Sequence, residues 1–254
     1  VRKPLPMDIG GFQKNSLIDF PGTIACVLFT RGCNFTCPYC HNPELAARTA
    51  GPCGSGSSGL NQLNLNRSES ADQKKIFEFL DKRKGMIEGI VITGGEPTLQ
   101  ADLTDFIQTV RQMGYKVKLD TNGTAPRIID ALFDLGLLDY LAMDIKTDID
   151  HYPMVMKNPG HLDRVMESIS LIMAKAPAYE FRTTCVKPFV TPDIMKNIGR
   201  MIRGAASYVL QPCSRKVALL DPKFAAVDDH FLNADDMAAL KSAVLPFVEN
   251  TRIR

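Results

Sequence analysis

Three cysteines, Cys33, Cys37 and Cys40, fall within eight residues of a 254-residue chain. That is too crowded for a disulfide framework, and it points to a metal site. They belong to the string RGCNFTCPYCH at 31–41, directly after an apolar run that reads as a β-strand. The thiols therefore sit on a loop at the C-terminal end of a strand, where open α/β sheets and barrels carry their active sites. Three thiolates can hold three corners of a four-iron, four-sulfur cluster, whereas a cluster that only relays electrons normally has four cysteine ligands. The fourth iron is then open, and it can chelate the amino and carboxylate groups of an amino acid. The alternative is a zinc site of three cysteines and one histidine, with His41 as fourth ligand. Against it, Cys40 and His41 are adjacent, and neighbours in sequence seldom converge on one tetrahedral ion.

Further polar residues stand at the ends of other strand-like runs. Gly94, Gly95 and Glu96 close one of them, and paired glycines let backbone approach a ligand with no Cβ in the way. Asp120 and Asn122 lie in the string DTNG, Asp144 and Lys146 in the string DIK, and Arg182 in a later strand. Taken singly, each is an ordinary strand-ending turn or surface ion pair. Together with the cysteine loop, the GGE, DTNG and DIK strings make four motifs at C-terminal strand ends, which are harder to read that way.

The elements that must position them follow from periodicity. Short apolar, β-branched runs at 24–30, 89–93, 116–121, 140–145, 179–186 and 207–212 alternate with amphipathic helical stretches, which implies a parallel α/β sheet. Asp102 is placed to cap a helix carrying Leu103, Phe106, Ile107 and Val110, with Gly114 at its stop. Pro126 opens another, and Asn233 caps a last one that Pro246 should end. An apolar fraction of 45% lets the chain bury a full core, and we expect one domain over 1–254, with a flexible Gly/Ser-rich loop at 51–66 and a helical extension at 222–254. The net charge of +2, from 30 basic and 28 acidic residues spread along the chain, calls for no nucleic-acid partner. Residues 1–8 contain Pro4, Pro6 and Asp8 instead of an apolar run, which argues against a signal peptide. The longest apolar run, 24–29, is too short for a bilayer, so no membrane partner is expected and the expectation is a soluble cytoplasmic protein. Of the other four cysteines, Cys26, Cys185 and Cys213 lie in apolar or strand-like stretches and read as small core residues, and Cys53 falls in the loop.

The pattern Cys-x3-Cys-x2-Cys, with Tyr39 before the last cysteine, resembles the signature of the radical S-adenosylmethionine (SAM) superfamily. The fuller string CPYCHNPE at 37–44 and the lead-in SLIDFPG at 16–22 are similar to the glycyl-radical-enzyme activating proteins, in particular the branch that activates anaerobic ribonucleotide reductase. The resemblance implies a partial (β/α)6 barrel. It also implies an enzyme that cleaves SAM reductively at a [4Fe-4S] cluster held by Cys33, Cys37 and Cys40, and uses the 5′-deoxyadenosyl radical to remove a hydrogen from a glycine of a partner enzyme. Electrons would come from a low-potential donor such as flavodoxin or ferredoxin.

By the same resemblance Gly94, Gly95 and Glu96 bind the amino group of SAM, Lys146 its carboxylate, and Arg182 faces the cofactor. Asp120 and Asp144 look like a monovalent-cation site, and Asn122 belongs to the same cofactor-binding motif. Ser214 stands where a well-known activator has a histidine near the adenosine, which leaves His41 and the Tyr39 backbone as candidates for that contact. Only Cys53 lies between Cys40 and Gly94, and no cysteine follows Asp221, so the chain resembles the minimal form without extra clusters. Less close resemblances are to small-molecule enzymes such as 7-carboxy-7-deazaguanine synthase. A non-catalytic iron-sulfur or zinc protein is the reading from outside catalysis.

Overall fold

Among the described residues eight strands run in chain order through one sheet: β1 (Ile9–Ser16), β2 (Ala25–Thr30), β3 (Gly89–Gly94), β4 (Lys116–Thr121), β5 (Tyr140–Asp144), β6 (Tyr179–Cys185), β7 (Tyr208–Pro212) and β8 (Thr251–Ile253). The structure is a computed structural model that describes residues 7–46, 73–156 and 158–254. The expected Gly/Ser loop at 51–66, with Cys53, lies outside the described residues. Strands β2 to β7 are the six read from the sequence, and the helices follow them in alternation: α1 (Pro43–Ala46), α2 (Gln73–Lys82), α3 (Leu103–Gln112), α4 (Pro126–Asp134), α5 (Leu162–Lys175), α6 (Pro192–Met201), α7 (Pro222–Ala225) and α8 (Ala234–Val244). Among the described residues no helix is long and apolar enough to cross a membrane.

The chain divides into two compact units, the first made of residues 1–33, 44–121 and 127–141 and the second of 34–43, 122–126 and 142–254. In the first, β1 pairs antiparallel with β2, while β2, β3 and β4 pair in parallel. Phe20, Ala25, Val27 and Val91 form a core against which Phe29 and Tyr140 pack. In the second, β6, β7 and β8 are parallel. Tyr208, fully buried, meets the Thr183 hydroxyl at 2.6 Å and the Met195 sulfur at 3.6 Å, which seats α6 on the sheet. Cys26, Cys185 and Cys213 are buried, as read from the sequence, and burial pushes the Cys26 and Cys185 thiols up to about 12.

Three details depart from the sequence reading, and a fourth agrees with it. Strand β1, IGGFQKNS, has no apolar alternation, because an edge strand with bulged register needs little. The 222–254 stretch is not helical throughout: it ends in β8, whose Arg252 and Arg254 donate to the fully buried Glu180 carboxylate at 2.7 and 3.2 Å. Asp102 stands at the head of α3 without capping it. Its Oδ2 instead accepts from the Met7 backbone N–H at 3.0 Å and from Gln73 at 2.6 Å, two partners distant in sequence. Asn233 does cap α8, in a reciprocal capping box with Asp236, and the helix ends at Val244, just before Pro246.

Candidate cofactor site

In the first unit the sequence-predicted residues gather where β2 and β3 end. The chain leaving β2 passes Gly32 into Cys33, and the N–H groups of these two residues donate to the Leu45 and Ala46 carbonyls of α1 at 2.7 and 3.3 Å. The end of β3 docks on the same stretch: Gly95 N–H donates to Thr30 O at 2.9 Å and Glu96 N–H to Gly32 O at 2.8 Å. This approach is close enough to require both glycines. Gly94 has φ +121°, and a Cβ there would lie 2.3 Å from Thr30 N. A Cβ on Gly95 would lie 2.2 Å from Gly32 O. The pair is thus explained by backbone meeting backbone beside Cys33, a reason different from the ligand approach read from the sequence.

Glu96 is fully buried, and its Oε1 accepts from Thr98 N–H (3.1 Å), the Thr98 hydroxyl (2.6 Å) and the Thr121 hydroxyl (2.8 Å). It caps the 3-10 turn Pro97–Leu99 and ties β3 to the end of β4. Asp120 accepts a hydrogen bond from Lys118, a lysine only 1% exposed.

In the second unit the rest of the cysteine loop is braced along its length. Asn122 donates to Asn34 Oδ1 at 2.8 Å, Asn34 donates to the Thr124 hydroxyl at 2.7 Å, and Thr124 returns two bonds to Asn122 Oδ1. Asn122 is therefore a brace, and Asn34 and Thr124 are partners that the sequence reading missed. Asn122→Leu should leave Asn34 and Thr124 with buried, unpaired polar atoms and cost about 2 kcal/mol in denaturant titrations. Farther along, Thr36 N–H donates to Val155 O (2.8 Å), Leu220 N–H to Cys40 O (3.1 Å) and Asp221 N–H to Pro38 O (3.0 Å).

His41 Nε2 accepts the Ser214 backbone N–H at 3.2 Å and lies 3.4 Å from the Cys213 sulfur. An N–H donor fixes that nitrogen as the unprotonated one. Burial first, then the Lys146 charge, lowers the His41 pKa and keeps the ring neutral. The ring thus clips the cysteine loop to the end of β7 through Nε2. The Tyr39 side chain is buried against Phe189 and Phe224, leaving only its backbone for the role read from the sequence.

Asp144, Lys146 and Arg182 form one charged group. Lys146 Nζ donates to Asp144 Oδ2 and Arg182 Nε to Asp144 Oδ1, both at 2.9 Å. Burial alone would raise the Asp144 pKa, but Arg182 and then Lys146 outweigh it and hold the carboxyl well below the usual range. Burial likewise opposes the Lys146 charge, yet Asp144, Cys37 and Cys40 together hold its ammonium well above the ordinary lysine value. Asp120 and Asp144, read as a monovalent-cation site, are each already matched by a cationic side chain of the chain itself.

The donor set fits a thiolate-ligated cluster: none of Cys33, Cys37 and Cys40 is tied up in a disulfide, and thiolate sulfur is the ligand such a cluster takes. Among the described residues no three His, Cys, Asp or Glu side chains are already gathered as a metal-ion site, so the fit rests on donor chemistry.

The radical SAM superfamily profile matches residues 27–194. A protein of Methanocaldococcus jannaschii named as a glycyl-radical enzyme activating enzyme is 30% identical over 215 residues, covering 83% of this chain and 81% of that protein. The pyruvate formate-lyase 2-activating enzyme of Escherichia coli is 28% identical over 194 residues, covering 66% of this chain but only 62% of its own length. Among solved structures, Streptococcus suis SuiB bound to precursor peptide SuiA superposes with a TM-score of 0.58 at 13% identity, over 90% of this chain and 48% of SuiB. That likeness speaks for the fold, the partial (β/α)6 barrel expected from the sequence.

Proposed function

This chain belongs to the radical SAM superfamily, and on that premise we propose that it is the activating enzyme of a glycyl-radical enzyme. The observation that carries the reading is the Lys146 ammonium, bonded to Asp144 at 2.9 Å on a residue whose carbonyl accepts from Tyr39 of the Cys-x3-Cys-x2-Cys loop at 3.4 Å. Cys33, Cys37 and Cys40 would hold the cluster. When bound, the [4Fe-4S] cluster and SAM supply reductive cleavage to a 5′-deoxyadenosyl radical, chemistry that belongs to the cofactors.

The protein's own part is positioning. An ammonium has three donors, and the hydrogen bond of Lys146 Nζ to Asp144 leaves donors that can turn to the methionyl carboxylate. Arg182 steadies Asp144 from the other oxygen and so keeps Lys146 aimed. Glu96, wholly buried, supplies negative charge toward the amino group together with the Gly94–Gly95 backbone. The braces on Asn34, Pro38, Cys40 and His41 fix the loop before any cofactor arrives, which is preorganisation.

The likeness to activating enzymes supports a protein substrate. The strings at 16–22 and 37–44 favour anaerobic ribonucleotide reductase as the partner, with a low-potential flavodoxin or ferredoxin as donor. Anaerobically reconstituted, reduced enzyme mixed with SAM and that reductase should give the doublet electron paramagnetic resonance signal of a glycyl radical. Formation of 5′-deoxyadenosine with no protein radical on any candidate partner would sink the reading.

A further inference from the structure

Strand β4, KVKLDT, carries Lys116, Lys118 and Asp120 at alternate positions, and the pleat of a strand puts alternate residues on one face. Their surroundings differ. The Lys116 side chain is 53% exposed and comes no nearer than 3.9 Å to Glu88. The Lys118 side chain is 1% exposed, and it stands opposite Val91 in the register with β3, beside the core of Phe20, Ala25, Val27 and Val91 on which Tyr140 packs. An ammonium closed off from water in this way must be matched from within the protein. Asp120 matches it, its Oδ1 accepting from Lys118 Nζ. The Tyr140 ring, 5.9 Å from the ammonium, adds the attraction of an aromatic face for a cation. All of these residues lie within the first unit.

The resemblance assigns Asp120 and Asp144 to a monovalent-cation site, and the donor set does not fit that ion. Hard cations such as sodium and potassium are held by oxygens with negative charge to offer. The charge of Asp120 is already answered by Lys118. In the second unit Asp144 has Lys146 on one oxygen and Arg182 on the other, both at 2.9 Å, so two cations already share one carboxylate. Lys118 cannot step aside for an ion, because an ammonium left in that seat without its carboxylate is the costly half of a broken buried pair. We propose that Lys118 is the resident cation of Asp120: its ammonium supplies the positive charge that the resemblance assigns to a monovalent metal ion, and this carboxylate binds no sodium or potassium. The positive charge at the end of β4 is then part of the chain itself and independent of the salt around it. Its mark in the sequence is the lysine two residues before the DTNG string.

The test uses the full chain without cluster, reduced and kept anaerobic, in buffers brought to one ionic strength with choline, sodium or potassium chloride. It involves neither SAM cleavage nor a partner enzyme, so its outcome is separate from that of the proposed function. Wild type should show no saturable rise in Tm when sodium or potassium replaces choline. Lys118→Met removes the ammonium but keeps most of the stem, so this variant should melt lower than wild type in choline and regain stability as an alkali ion takes the ammonium's place. At about ten times its dissociation constant, a bound ion multiplies the folding constant about elevenfold, a rise in Tm of about 3–6 °C. Broadening of the sodium nuclear resonance reads the ion directly. Its reference is the double variant Lys118→Met with Asp120→Asn, in which neutral side chains replace the whole pair, a change that buried pairs tolerate better than the loss of one partner. Wild type should broaden the line no more than this double variant, a comparison that serves also if Lys118→Met fails to fold. A saturable, potassium-displaceable broadening in wild type that the double variant lacks, a saturable alkali-dependent rise in the wild-type Tm, or a folded Lys118→Met protein that gains nothing from either ion would overturn the proposal.

Discussion

Gly95→Ala should lower stability by about 3 kcal/mol or more, with a fall in Tm of roughly 6–12 °C. The added methyl would sit 2.2 Å from Gly32 O, 2.7 Å from Gly32 C and 3.0 Å from Leu45 O. All three are backbone atoms, so no side chain can swing aside to admit it. Relief requires parting β3 from the chain that enters Cys33, which breaks the Glu96 N–H bond to Gly32 O. Iron uptake on reconstitution should fall along with the melting temperature. Gly160→Ala is the control, since a Cβ there meets only the Asn158 side chain at 3.3 Å, and it should change stability by less than about 0.5 kcal/mol. An unchanged Tm for Gly95→Ala would mean that the two strand ends are not held as described.

The second large effect is expected at Asp144. Replacing it by asparagine removes the carboxylate that bonds both Lys146 and Arg182, whose side chains are 17% and 11% exposed. Breaking a buried pair in this way costs about 3–5 kcal/mol. Because 29% of the Asp144 side chain remains accessible, the lower end applies. SAM affinity should fall with it, since Lys146 loses the partner that aims it.

The pH dependence follows from the direction of the shift. The folded-state pKa of Asp144 is depressed, so its contribution to stability is complete above the unfolded value near 3.9 and is lost as the pH falls through the folded-state value beneath it. Thermal melts of wild type should therefore show no effect of this group between pH 8 and 5 and a steep loss in stronger acid. In Asp144→Asn that portion of the acid loss should be missing.

What could be read in advance was whatever local chemistry determines. The apolar runs that became β2 to β7 and the Asn233 cap depend on residues close in sequence, and so does the cysteine spacing. What could not be read depends on distant partners. Asp102 has the right position for a cap, but the Met7 N–H and Gln73 compete for its carboxylate from elsewhere in the chain. The need for Gly95 comes from how β2 and β3 are registered, which places Thr30 opposite Gly94 and leaves the next residue against Gly32. Tyr152 stands in a short 3-10 turn, Tyr152–Met154, where no periodicity marks it, and only the folded chain brings its hydroxyl to Lys146. Asn122 was read with Asp120 from one motif, and only the folded chain shows that its amide bonds Asn34 and Thr124.

Glu180 sets a constraint in time as well as in space. Its carboxylate is wholly buried, and its guanidinium partners, Arg252 and Arg254, come 72 and 74 residues later in the chain. A ribosome adding about 5–20 residues per second needs roughly 4–15 s to cover that distance. Throughout that interval the carboxylate must stay in water, because enclosing it without a partner would cost several kcal/mol. β6 and β7 can begin to pair while the chain is still being made, but the second unit cannot close around Glu180 until both arginines have emerged.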